Sequence, residues 1–259
     1  MKRILLLAAV LLMAVACGKK EKTEKILVLY YSQTGNTEAV AKQIQAQLGA
    51  DIEAIVPALP YDGDFNATIE RGKKELDGGI LPELQPIKAN IQDYDVIFLG
   101  FPVWFGTYAQ PIATILADCD FTGKRVVPFC TFGSGGLDSS SRNIMDKLSE
   151  AEVLPGYGVR AARMDAVPAE VERFLKSGGF LPGTVEPLPD FPALRPVTEE
   201  ESALFDAAVG SYPMIRAKAE EVASRPVPGG TEYLFAAQGM KIYVLALDGQ
   251  EPVFTQVVR

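Results

Sequence analysis

Three loops of the sequence carry residue types that could bind a phosphate and a planar ring. The first loop, 32–37, lies ahead of a predicted helix and combines hydroxyl, amide and glycine residues: Ser32, Gln33, Thr34, Gly35, Asn36 and Thr37. Free backbone N–H groups and the positive end of a helix dipole favour a phosphate at such a place. The loop has no lysine, so it differs from a Walker loop. The alternative interpretation is an ordinary N-cap turn, where Ser, Thr and Asn are common.

The other two loops supply aromatic rings and close backbone approach. The second loop places the only tryptophan of the chain beside a phenylalanine and a glycine, in the order Pro102, Val103, Trp104, Phe105 and Gly106. Aromatic side chains at the rim of a sheet offer a stacking surface for a planar ring; the alternative is that they cover the core. The third loop is glycine-rich and contains Thr131, Phe132, Gly133, Ser134, Gly135 and Gly136. Since glycines lack side chains, their backbone can lie close to a ligand.

The elements around these loops predict a doubly wound α/β fold over residues 25–176. Each loop follows a continuous apolar run, at 25–31, 96–101 and 125–131, which is typical of a strand buried on both faces of a parallel sheet. Two further strands are expected at 52–56 and 153–160, with helices between the strands, giving five strands. Such sheets bind ligands at the carboxyl ends of their strands, which is where all three loops lie.

The remainder of the chain predicts a linker and a second, smaller domain. Residues 177–196 contain repeated prolines and adjacent glycines, as in an extended linker. Residues 197–259 predict a small α+β domain, with a helix at 199–209 and strands at 231–237, 241–247 and 252–258. The pattern of 214–225 is compatible with helix or strand.

The N-terminal residues 1–24 are interpreted as a processing signal and a polar tether. A basic start is followed by an apolar run at 4–16 that is too short to span a bilayer as a helix. The run ends in Ala-Val-Ala-Cys-Gly, which resembles a bacterial lipobox and implies cleavage before Cys17 and lipidation of that residue. A plain secretory signal cut after Ala16 is the alternative. The protein is therefore expected outside the cytoplasm as a membrane-anchored lipoprotein, facing the periplasm or in the outer membrane.

Composition excludes several classes of function. The chain has no histidine, so Ser-His-Asp and Cys-His catalysis and His-ligated metal sites are ruled out. We predict no catalytic side chain and no metal. The formal net charge of −8 argues against nucleic-acid binding, which requires clustered basic charge. Two cysteines besides Cys17, at 119 and 130, do not make a disulfide framework, and Cys130 is expected to be a buried thiol.

The motifs together resemble the flavodoxin family. The first loop matches the flavodoxin phosphate loop, Ser/Thr-x-Thr-Gly-x-Thr, and the segment 94–136 is similar to a bacterial flavodoxin subfamily through "DVIFLGFPVWFGTYAQPI" and "GKRVVPFCTFGSGG". The resemblance covers residues 25–176. It implies that FMN binds with its phosphate on residues 32–37 and its isoalloxazine between the second and third loops. The subfamily often has Trp-Trp where this chain has Trp104-Phe105, a change that keeps a stacking ring and loses one N–H donor.

The function that this resemblance implies is electron transfer to a redox partner protein or a small-molecule acceptor. An oxidoreductase, namely an FMN-dependent NAD(P)H:quinone-type reductase, is the first alternative. The second alternative starts from "RPVPGGTEYLF" at 225–235, which is faintly similar to cystatins; Val227 and Gly229 match their Gln-x-Val-x-Gly hairpin, while Arg225 replaces the glutamine. That similarity implies a helix followed by an antiparallel sheet, with 214–225 as a strand. It also allows a non-catalytic binding lipoprotein.

Overall fold

The computed structural model describes residues 24–62, 64–210 and 212–259. The predicted signal and Cys17 therefore lie outside the described residues, as does most of the predicted tether. No helix within the described ranges combines the length and the apolar character that crossing a bilayer requires.

The first domain alternates strands and helices in the predicted order. Its elements are β1 (Ile26–Tyr30), α1 (Asn36–Leu48), β2 (Asp51–Ala54), α2 (Phe65–Gly78), β3 (Val96–Trp104), β4 (Thr107–Tyr108), α3 (Gln110–Asp118), β5 (Arg125–Phe132), α4 (Leu137–Lys147), β6 (Glu152–Val153), β7 (Tyr157–Arg160) and α5 (Val167–Ser177). Short 3-10 turns occupy Ile91–Asp93 and Ala161–Ala166.

The sheet confirms the predicted doubly wound architecture. Parallel pairing gives the order β2-β1-β3-β5, and both β6 and β7 pair in parallel with the outer side of β5. The fifth strand is thus interrupted, since Val126 pairs with Val153 whereas Phe129 already pairs with Tyr157, one extra residue on the outer side. Pro128 lies in β5 between these pairs and has no N–H to donate, which explains the break.

Helices cover both faces of this sheet. Because side chains alternate along each strand, one face packs against α1 and α5 and the other against α3 and α4. The first core contains Val28, Val40, Ile44, Phe98, Val171 and Leu175, and the second contains Leu27, Leu29, Leu99, Ile112, Ile115 and Ile144. Cys130 belongs to the second core as a free, fully buried thiol, and burial raises its pKa.

The second domain is one helix against an antiparallel sheet. Its elements are β8 (Arg195–Pro196), α6 (Glu199–Val209), β9 (Glu221–Val227), β10 (Gly230–Ala237), β11 (Met240–Leu247) and β12 (Val253–Val258), in the sheet order β12-β11-β10-β9-β8. The expected strand at 214–225 is wrong over its first part, because β9 starts only at Glu221. Glu221 pairs with Ala236 near the end of β10, and the Glu220 N–H donates to the Ala236 carbonyl at 2.9 Å, where the pairing begins.

The predicted linker segment packs against both domains. Phe180 lies edge-on to Phe98, with ring centroids 5.0 Å apart, and Phe191 contacts Tyr243 in the second sheet at 5.9 Å. Arg225 stacks on Phe191 at 4.2 Å, a contact of the side chain that replaces the cystatin glutamine. The proline-rich composition predicted an extended path but could not indicate where its aromatic residues pack.

Glu201 links the start of α6 to β8. Its backbone N–H donates to the Thr198 hydroxyl, and its carboxylate accepts from the Thr198 backbone N–H, forming a capping box. The same carboxylate receives two bonds from Arg195, at 2.6 and 2.8 Å. The bonds from Arg195 are the main reason that the pKa of Glu201 falls to about 2.

Replacing Glu201 with glutamine should lower the free energy of unfolding by about 1 kcal/mol at pH 7. Glutamine keeps the capping geometry, so the loss reports on the charge. A depressed pKa stabilises the fold fully above the ordinary value of 4.5 and loses this effect as the pH falls towards about 2. Urea unfolding should show that the difference in the free energy of unfolding between the wild type and the variant is smaller at pH 3 than at pH 7. A difference independent of pH would contradict the charge-based explanation.

Candidate functional site

The first loop presents the N-terminus of α1 without a side-chain cap. The N-cap is Gly35, whose φ of 89° is left-handed and whose missing side chain offers no capping bond. In contrast, Asp64 caps α2 and Thr198 caps α6. Within the first loop the Ser32 hydroxyl accepts from the Gly35 N–H at 3.2 Å, and Thr34 is exposed. Backbone donors at the start of α1 are thus available to an anion from outside.

A pair of buried threonine hydroxyls joins the first loop to the third. The hydroxyl oxygens of Thr37 and Thr131 lie 2.9 Å apart, and both residues are almost fully buried. Thr131 also lies beside Pro102 in the register of β3 and β5. The three predicted loops therefore share one edge of the sheet, as expected for the carboxyl ends of parallel strands.

The second loop is a tight hairpin rather than an irregular loop. β3 continues to Trp104, which pairs with Thr107 of β4, and the two residues between them form the turn. Phe105 and Gly106 have φ values of 53° and 81°, and a type I′ turn needs positive φ at both central positions. Phenylalanine rarely adopts this conformation, and Phe105 as a whole residue is 40% exposed at the hairpin tip.

Trp104 packs inside an aromatic cluster. Its indole meets Tyr31 and Tyr61 edge-on, at centroid distances of 5.8 and 5.1 Å. Gln33 is held in the same cluster, since it accepts from the Tyr31 hydroxyl and donates to the Tyr61 carbonyl. The Tyr61 hydroxyl donates to Glu75, and burial, followed by this bond, raises the pKa of Tyr61.

The cluster changes the roles expected of two predicted residues. Trp104 packs against Tyr61 and anchors the hairpin to the cluster. The side-chain amide of Gln33 is occupied by its hydrogen bonds to Tyr31 and Tyr61. Phe105 is the aromatic residue of the second loop that lines the neighbouring cleft, and one edge of its ring lies beside Gly72 of α2, 3.4 Å from where a Cβ on that glycine would be. Tyr31 and Tyr61 were not predicted as neighbours of the site, although Tyr31 directly precedes the first loop.

A cleft of about 440 Å³ opens between the second and third loops. Val103, Phe105 and Gly106 line one side, and the glycines at 133, 135 and 136 line the other together with Ser134. The loops touch at the base of the cleft, where a Cβ on Gly136 would lie 2.5 Å from Val103 Cγ1. The Ser139 hydroxyl also donates to the Gly106 carbonyl at 2.6 Å. Phe132 points into the core instead and is buried.

The end of the second domain forms the outer side of this cleft. Tyr212 and the last four residues, 256–259, line it, and the Val257 N–H donates to the Ser134 carbonyl at 2.6 Å. Asp138, Arg142 and Arg259 add charges at the rim. These residues were not predicted as part of the site, because the local sequence of a β-strand does not indicate the surface against which it packs.

The groups at this edge of the sheet fit the FMN that the sequence predicts. An uncapped helix N-terminus, with hydroxyl groups beside it, suits a phosphate, and a glycine-lined cleft with one exposed aromatic ring suits a planar group. The volume lies within the range of about 300–1,000 Å³ common for small-molecule sites. Within the described residues, no cluster of His, Cys, Asp or Glu is placed to hold a metal ion.

Comparisons with known proteins agree with this geometry. The chain is 30% identical over 125 residues to "Flavodoxin 1" of Salmonella typhimurium, covering 47% of this chain and 55% of the relative, so it spans about half the length of the curated relatives it matches. A solved putative flavoprotein from Bacteroides eggerthii aligns with 31% identity and a TM-score of 0.51, covering 57% of this chain and 96% of that protein. A flavoprotein from Lactobacillus acidophilus NCFM, solved in complex with FMN, aligns with 25% identity and a TM-score of 0.50, covering 59% and 99%.

The match to a protein family covers the first domain up to the middle of α5. The Flavodoxin_4 family, described as flavodoxin, matches residues 25–173, which include all three loops and every strand of the parallel sheet. The chain belongs to the flavodoxin family.

Proposed function

We propose that this chain is an FMN-binding electron-transfer protein that works outside the cytoplasm. The observation that carries the proposal is the shared sheet edge, at which the uncapped start of α1 and the cleft between the second and third loops are joined through Thr37 and Thr131. FMN would supply the redox chemistry, while the chain would bind and orient it. The FMN complex of the Lactobacillus acidophilus flavoprotein supports this choice of cofactor.

The residues divide into two groups with different tasks. Residues 32–37 would hold the phosphate with backbone N–H groups and hydroxyls, since no lysine or arginine occurs among them. Phe105 and the glycines of the third loop would hold the ring, and Trp104 would fix the hairpin that carries Phe105. We also expect the acidic chain to dock on a basic redox partner or to serve a small-molecule acceptor.

A turnover assay separates an electron carrier from a reductase. We expect the FMN-loaded protein, once reduced chemically, to pass electrons to an acceptor such as cytochrome c, and not to oxidise NADH or NADPH steadily in the presence of a quinone. Sustained NAD(P)H oxidation that saturates with quinone would contradict the carrier and favour the reductase. Inhibition of a papain-type protease by the full chain would favour the cystatin-like binding alternative.

We further propose that Cys17 carries a lipid anchor. The support is the apolar run that ends in small residues before Cys17. In cells fed a labelled fatty acid, the wild-type protein should take up label and partition into membranes, whereas Cys17→Ser should remain unlabelled. Cys119→Ser is the matched control, since it changes a half-buried thiol of the first domain, and it should be labelled like the wild type. Label on Cys17→Ser would contradict the anchor.

A further inference from the structure

The free edge of the second sheet lies against the third loop. β12 is the outermost strand of its sheet, and on its open side the Val257 N–H donates to the Ser134 carbonyl at 2.6 Å. The approach is close enough to require glycine, since a Cβ on Gly135 would lie 2.3 Å from the Val257 carbonyl oxygen. An edge strand normally exposes unpaired backbone groups, and here the third loop covers part of that edge.

A buried arginine holds the same two segments together. Arg160, at the end of β7, is 7% exposed; its Nε donates to the Gly133 carbonyl and its Nη1 to the Phe254 carbonyl of β12, both at 2.9 Å. Its guanidinium carbon lies 3.4 Å from the centroid of the Phe254 ring. Burying a charge is costly unless it is compensated, and here one carbonyl from each domain and the face of the Phe254 ring offset part of that cost.

Aromatic packing completes the contact. The Tyr212 and Phe254 rings lie 5.2 Å apart, and the Tyr212 hydroxyl lies 3.1 Å from the position that a Cβ on Gly133 would take. The second domain therefore meets the third loop at Gly133, Ser134 and Gly135 in turn. Contacts at successive residues of one loop fix its backbone more firmly than a single contact would.

We infer that the second domain is the outer wall of the cofactor site, built from Tyr212 and residues 256–259. The inference rests on the proposed binding of FMN. With the ring between the second and third loops, this wall would keep the third loop in place and slow the release of the cofactor. It would also separate the ring from bulk solvent on the side of the cleft where Val257 lies.

The rival interpretation is that the end of β12 acts as a plug that occupies space needed by the ring. The wall and the plug predict opposite changes in FMN binding when the contact between β12 and the third loop is lost. Loosening a wall speeds the loss of FMN, whereas loosening a plug strengthens binding. The direction of the change therefore decides between them.

The test compares the full chain with two altered forms of it. Val257→Pro removes the N–H that bonds to Ser134; this N–H points away from β11, so the bonds between β12 and β11 remain. A chain ending at Gln256 removes the last three residues of the wall. Val253→Pro is the control for proline in the same strand, since it changes the first residue, which pairs with Leu245 of β11 and lies away from the loop. FMN release is followed by the recovery of flavin fluorescence, and hydrogen–deuterium exchange of residues 133–136 is measured without cofactor.

We expect Val257→Pro to release FMN about fivefold faster than the wild type, the effect of losing one hydrogen bond. The shortened chain should release it faster still, Val253→Pro should match the wild type, and exchange at 133–136 should rise in the first two proteins. Unchanged or slower release from both altered chains would overturn the wall. If the wild type bound no FMN, both the proposed function and the inference of a wall would be wrong. If it bound FMN and both altered chains released it at the wild-type rate, only the inference of a wall would be wrong.

Discussion

A carboxylate at position 35 is expected to weaken FMN binding by about two orders of magnitude. Gly35→Asp places a negative charge at the uncapped start of α1, where the phosphate is expected. A Cβ there meets no atom within 4 Å, and the strain of the left-handed φ of 89° is shared by Asp and Asn, the two residues besides glycine that visit this region. Repulsion between like charges a few ångströms apart near a surface costs about 2–4 kcal/mol, and each 1.4 kcal/mol is about tenfold in affinity.

Gly35→Asn separates charge from shape in this experiment. Asparagine has nearly the same size, caps a helix as well as aspartate does and adopts positive φ as readily, so it should retain most of the FMN affinity. Riboflavin, which lacks the phosphate, should bind the Asp and Asn proteins equally. Isothermal titration of both ligands measures these affinities. Equal FMN affinity in the two variants would place the phosphate elsewhere.

Adding one methyl group at Gly100 is expected to lower the free energy of unfolding by about 3 kcal/mol. Gly100 lies in the centre of the parallel sheet, where it pairs with Tyr30 on one side and Phe129 on the other. A Cβ would lie 2.1 Å from Phe129 Cζ, and Phe129 is fully buried, so its ring cannot turn away into solvent. The strain must be spread over a closely packed core.

The double variant Gly100→Ala with Phe129→Leu tests this explanation. Leucine removes the ring atoms that the added methyl group would strike, so in the Phe129→Leu background the alanine should cost less than about 1 kcal/mol. Urea unfolding of the wild type, the two single variants and the double variant gives the interaction free energy between the two positions. Fully additive costs would show that the penalty at Gly100 does not come from the Phe129 ring.

The sequence predicted the fold well where local pattern and tertiary structure agree. The apolar runs that became β1, β3 and β5 are buried on both faces, so a single stretch of sequence indicates both strand and sheet type. α6 spans Glu199–Val209, the bounds expected from the sequence. The interrupted fifth strand could not be predicted, because it depends on Pro128 in a neighbouring strand.

The candidate site was predicted by residue type but not by orientation. Loop composition identified the three loops, yet the sequence did not indicate that Trp104 packs against Tyr61 while Phe105 is the aromatic residue of the second loop at the cleft. Phe-Gly is also an unusual pair for a two-residue hairpin, which favours Asn-Gly, so the turn was not expected. The contribution of Val257 depends on packing between residues more than a hundred positions apart, which no local pattern encodes.

Titrating FMN into the purified, flavin-free protein tests the central claim most directly. We expect the fluorescence of FMN to fall and its visible spectrum to shift as it binds, with saturation at about one FMN per chain and clearly weaker binding of riboflavin, because the first loop holds the phosphate. An unchanged spectrum and undiminished fluorescence at excess protein would contradict the account.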